Sequence, residues 1–89
     1  MRVGEARWDA FYVLRNDSRT TPLSATLTAV NAAGVVILNG VSAGVGGQRV
    51  YYLLNTTNIA AAASDYTLTY TVFLDNDEKL IIKRMVSVQ

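Results

Sequence analysis

The sequence predicts an all-β fold, a sandwich or small barrel of six or seven short strands, and three observations predict it. The first is strict alternation near the C-terminus. Tyr66, Leu68, Tyr70, Val72 and Leu74 interleave with Thr67, Thr69, Thr71 and Phe73, the period of a strand with one buried face. Thr, Tyr, Val and Phe are also the types that fit a pleated, half-buried surface. The second is the regular recurrence of turn-forming clusters, roughly every eight to twelve residues, as expected of small all-β domains. The third is the shortage of helix signal: only Ile59 to Ala63 has helix propensity, and it is too short to stand alone. No repeat of solenoid or propeller period is visible.

In chain order, residues 1–7 form a polar arm with Arg2, Glu5 and Arg7, and residues 8–89 form the β domain. A strand from Trp8 to Arg15 sets Trp8, Ala10, Tyr12 and Leu14 on one face and Asp9, Phe11, Val13 and Arg15 on the other. Both faces carry apolar groups, so the pattern does not choose the buried one. Asn16-Asp17-Ser18 is a turn, because these side chains bond their own backbone and tolerate unusual turn angles. Pro22 lacks an amide donor and marks a boundary or an edge. Leu23, Ala25, Leu27 and Ala29 then face inward, with Ser24, Thr26 and Thr28 outward. Asn31 to Gly34 closes a hairpin, with Gly34 supplying a positive φ. Val35-Val36-Ile37-Leu38 is an apolar run that suits a fully buried strand. The glycine-rich stretch from Gly40 to Gly47 reads as a loop. Gln48 to Leu54 is a strand with Val50, Tyr52 and Leu54 set against Arg49, Tyr51 and Leu53. Asn55-Thr56-Thr57 ends it, and Ile59 to Ala63 makes a single helical turn. Asp75 to Glu78 is the turn of a closing hairpin whose second strand is Lys79 to Val88.

Composition excludes much chemistry. The chain has no His and no Cys, which removes imidazole acid–base catalysis, thiol nucleophiles, Ser-His-Asp triads and the usual zinc sites. Eight Lys and Arg balance seven Asp and Glu, so the basic excess that drives nucleic-acid binding is missing. No apolar run reaches membrane-spanning length, and the opening residues are too polar for a signal peptide. The expectation is a domain folded in a cytoplasm, with no nucleic-acid or membrane partner and no metal or other cofactor.

Individual motifs lead the same way. The glycines at 40, 44, 46 and 47 lack the lysine of a phosphate loop and the spacing of a dinucleotide fingerprint. Four consecutive residues, Asp75 to Glu78, cannot all face one calcium ion, and no glycine provides the sharp bend. The acids lie in turns and in the arm, so a hydrolytic carboxylate pair is not expected and the chain is read as non-enzymatic. Asn16-Asp17-Ser18 and Asn55-Thr56-Thr57 match the glycosylation sequon but read as turns. Tyr66, at the entry to its strand, suits either a corner tyrosine bonded through its hydroxyl, as in immunoglobulin-type sandwiches, or an ordinary buried aromatic.

Trp8, Phe11, Tyr12, Tyr51, Tyr52 and Phe73 outnumber what one small core can hold. Tyr and Trp are enriched where proteins meet, so some of these are expected at an interface. Lys83 and Arg84 are neighbours on a strand and therefore point to opposite faces. One of them must reach the core side, a rim or a partner. The partner-binding candidates are accordingly Trp8, Phe11, Tyr51, Phe73 and Arg84.

The order of segments also carries a resemblance. Val3-Gly4-Glu5 leads into a strand ending Leu14-Arg15-Asn16-Asp17, followed by Thr21-Pro22-Leu23-Ser24-Ala25-Thr26. Ala33-Gly34-Val35-Val36, a Tyr-containing strand and an Ala-rich link ending Asp65-Tyr66-Thr67-Leu68 come next. This resembles the small immunoglobulin-like structural modules of tailed bacteriophages, including the N-terminal domain of baseplate upper proteins. The family's Asp-Gly turn is here Asn16-Asp17-Ser18, and Ser64-Asp65 stand where the family has Gly. The resemblance implies an immunoglobulin-like antiparallel β-sandwich of six to seven strands with one short helical turn. It also implies a structural virion protein in a baseplate, a head–tail neck or a capsid decoration, made in the host cytoplasm. Its partners would be other virion proteins or further copies of itself, with the arm and residues 40–47 ordering on assembly. The alternative is a carbohydrate- or receptor-binding sandwich in which Trp8 and the tyrosines form a stacking platform.

Overall fold

The computed structural model describes residues 1–89, the side chain of Asn76 excepted. Among the described residues eight strands form: β1 (Arg7–Tyr12), β2 (Leu14–Arg15), β3 (Ser18–Arg19), β4 (Ser24–Val30), β5 (Val36–Gly46), β6 (Arg49–Leu54), β7 (Ser64–Phe73) and β8 (Lys79–Val88). Six make one antiparallel sheet in the order β1-β6-β5-β4-β7-β8, and β2 and β3 form a separate two-stranded ribbon. One-turn 3-10 helices occur at Ile59–Ala61, as the Ala-rich segment predicts, and at Asp75–Asp77 within the polar turn.

The closing hairpin follows its sequence pattern. Tyr66, Leu68, Tyr70, Val72 and Leu74 are all buried, each side chain contributing about 1.5–3 kcal/mol by leaving water. The threonines between them stay half-exposed on the outer face. Ten rungs join β7 to β8, from Ser64↔Val88 to Phe73↔Lys79. Tyr66 is buried, and its hydroxyl donates to the carbonyl of Ala62 at 2.8 Å.

β5 is where the molecule bends. Its first part pairs with β4 as far as Ala43, and only Gly44, Val45 and Gly46 pair with β6. Two register shifts interrupt the β4–β5 ladder: Leu27↔Val41 gives way to Ala29↔Leu38, then to Val30↔Val36. In each step β5 holds one residue more than β4. Gly40 sits in the first bulge at φ 63°, and its amide donates to Thr28 Oγ1 at 3.1 Å. Bulges and glycines of this kind raise the local twist and turn a corner. The sheet therefore curls until β1 faces β7 and β8 across the core, where Phe11 packs edge-on to Tyr70 at 4.9 Å.

Four expectations are corrected here. Residues 40–47 are strand up to Gly46 rather than loop. Gly44 is needed because Tyr51, directly opposite it, lays its ring over β5, and a Cβ there would collide with that ring. The loop is only Gly47 and Gln48, both at positive φ, the two-residue turn whose twist matches the flanking strands. Val35, Val36 and Ile37 are exposed rather than buried, because β6 leaves β5 beyond Gly44 and nothing covers the projecting end. Leu23 is 65% exposed and lies outside the inward set Ala25, Leu27 and Ala29. The strand expected over residues 8–15 breaks at buried Val13, after which β2 and β3 turn on Asn16 and Asp17, again both at positive φ.

Candidate functional site

Alternation along β1 places Asp9, Phe11 and, beyond the strand, Val13 inward, and Trp8, Ala10 and Tyr12 outward. A charge therefore enters the core side while the largest aromatic faces solvent. Asp9 is 8% exposed, and such a carboxylate needs partners to offset its lost hydration. It receives three. Arg84 of β8 donates through Nη2 at 2.8 Å and through Nε at 3.0 Å, and the Tyr70 hydroxyl of β7 donates at 2.8 Å. The Arg84 guanidinium also lies 5.1 Å from the Phe11 ring centre.

These contacts tie the first strand of the sheet to its last two. Burial pushes the Tyr70 phenol well above its ordinary pKa, and the hydrogen bond to Asp9 adds to that, since a phenolate could not donate it. The same carboxylate holds Arg84 more firmly protonated. The expectation that one of Lys83 and Arg84 must reach the core side or a rim is met by Arg84, with Asp9 as its partner within the chain. Asp9 was missed; its signal was a single acid set among the apolar residues of β1.

Beside the cluster, β1 and β8 share no ladder, and a groove of about 440 Å3 lies between them, lined by Phe11, Tyr12, Leu14, Leu80, Ile82 and Arg84. The polar arm closes the other end. Val3 donates to the Gln89 carbonyl and Gln89 to that of Met1, both at 2.9 Å, while Gly4 donates to Ala60 at 3.0 Å. Along the outward face of β8, Ile81 and Met85, 61% and 77% exposed, alternate with Lys79 and Lys83.

The outer face of β1 and β6 is a second feature. Trp8 and Tyr51 meet edge-on, 5.7 Å between ring centres at 74°. With Ala10 and Arg49 they line a cleft of about 310 Å3. Next to it two guanidinium groups approach the Tyr12 ring centre, Arg19 at 3.7 Å and Arg49 at 5.8 Å.

Of the sequence candidates, then, Trp8 and Tyr51 come together on the outer face, and Phe11 and Arg84 come together at the seam. Phe73 joins neither pair; it lies on the outer face of β7 opposite Lys79. Arg19 and Arg49 were missed, because a lone arginine at a strand end carries no signal until its neighbours across the sheet are known. Compared with family models, curated proteins and solved structures, the chain matches none.

Proposed function

We propose that this chain is a non-enzymatic structural protein that works by protein–protein contact in a multi-copy assembly. The observation that carries the reading is the β8 edge. Ten residues of strand have no hydrogen-bonded neighbour on one side among the described residues, and the same strand exposes Ile81 and Met85. Unpaired edges are templates for strand addition. Lys79 and Lys83 on this edge discourage indiscriminate pairing and favour a partner strand that meets them with acids or hydroxyls. The resemblance to phage modules extends the proposal: the assembly is a virion of the tailed-phage type, the partners are further copies and other virion proteins, and the curled sheet is an immunoglobulin-like sandwich. Gel filtration with light scattering tests the reading. It expects masses above the monomer that rise with concentration; a strict monomer that binds glycans would overturn it.

A second reading has its own observation. Exposed rings held at fixed angles over a cleft are a stacking platform for a saccharide, and Trp8 with Tyr51 supplies one. Under this reading the module binds a carbohydrate or a glycosylated receptor.

A further inference from the structure

We infer that the Trp8–Tyr51 cleft binds an anionic saccharide, with the two rings holding the sugar and Arg49 its carboxylate. The inference rests on the second reading above and gives it a ligand class.

The cleft is built from both of its strands and the one beside them. Gly44 lets the Tyr51 ring lie over the β5 backbone, where any larger residue would collide with it. Trp8 stands at 74° to that ring, and Ala10, the residue opposite Tyr51 on β1, keeps the floor low. The result is a corner rather than a flat patch, and its volume of about 310 Å3 lies near the lower end of small-ligand pockets, ~300 Å3. A pyranose has one apolar C–H face and a polar rim, so it can stack on one ring and meet the other edge-on.

Charge selects among sugars. Arg49 lines the cleft, and Arg19 meets the same Tyr12 ring that Arg49 approaches; neither is ion-paired among the described residues. The one acid on β1 or β6 is Asp9, which points inward and is held by Arg84. A carboxylate carried by a stacked ring would therefore meet a free guanidinium able to bond it through two nitrogens and no opposing charge. Nucleotides also combine a stacking ring with a negative group. They fit less well, because rings set at 74° leave no slot for a base between them.

Trp8 is the chain's single tryptophan, so its fluorescence reports from the cleft itself. Titration with a galacturonic acid trisaccharide is expected to shift that fluorescence, with affinity at least tenfold above that for the uncharged galactose trisaccharide. Arg49→Gln, at an exposed position, is expected to remove the tenfold preference while leaving the weak neutral binding. Equal response to both sugars, loss of neither with Arg49→Gln, a stronger response to a single-stranded oligonucleotide, or no response at millimolar sugar would each overturn the inference. Light scattering on the same samples reads assembly separately, so failure here leaves the assembly reading standing.

Discussion

The two edge strands of the sheet, β1 and β8, are built to opposite ends. Each turns one charge inward, Asp9 from β1 and Arg84 from β8, and these meet 2.8 Å apart. Outward, β1 presents rings held against neighbours, Trp8 on Tyr51 and Tyr12 beneath Arg19, whereas β8 presents Ile81 and Met85 with nothing packed across them. The seam is thus closed by side chains and not by a backbone ladder. Closing it this way joins the two edges without using the β8 amides and carbonyls that a partner strand would need.

That division can be broken most severely at Asp9. Asp9→Ala leaves the Arg84 guanidinium and the Tyr70 hydroxyl without their acceptor and is expected to cost about 3 kcal/mol, since loss of one member of a buried pair strands the other. Partial exposure of Arg84, 37% of its side chain, keeps the figure at the low end. A urea midpoint that falls at unchanged slope is the measurement.

Tyr70→Phe is milder, about 1.5 kcal/mol, because Asp9 keeps Arg84. Its pH dependence is sharper than its size. The unfolded chain ionises tyrosine near pH 10, whereas native Tyr70 holds its proton well above that. Native protein then binds the extra proton, so this contribution is complete below pH 10 and is lost as the pH rises past it. The gap between wild type and Tyr70→Phe should narrow above pH 10; a constant gap would separate the phenol from the seam.

Gly44→Ala is expected to cost about 1 kcal/mol, because Tyr51 is partly exposed and can swing away from the new methyl group. The change should appear as altered Trp8 fluorescence before it appears as a lower melting temperature. Smallest of all is Trp8→Ala, within about 0.5 kcal/mol of wild type by thermal unfolding, as for most exposed sites. A large loss would make Trp8 part of the core and remove the contrast between the two edges.

How far the sequence could be read follows from the same contrast. The β7–β8 hairpin was legible because one face is buried and the alternation says so. Turns at Asn16, Asn31 and Asp75 were legible because their residue types tolerate turn angles; at Asn31 the side chain makes the turn itself, its Oδ1 accepting from the amides of both Ala33 and Val35. β5 was not, since Gly44 serves the ring of Tyr51 and Gly40 a bulge, needs set across the sheet and silent in local composition. The buried face of β1 was undetermined for a related reason. Hydrophobicity favours neither face there, and what decides it is Arg84, seventy-five residues away. The exposed Val35 to Ile37 misled because an apolar run does not reveal that its would-be cover, β6, turns away.

The claim that β8 is the docking edge is tested most directly by hydrogen exchange on this strand at low and high protein concentration. Antiparallel pairing directs only alternate β8 amides toward β7. The other half should exchange rapidly in dilute monomer and become protected as the mass measured by light scattering rises. Slow exchange of those amides in the monomer, or assembly that leaves them unprotected, would contradict it.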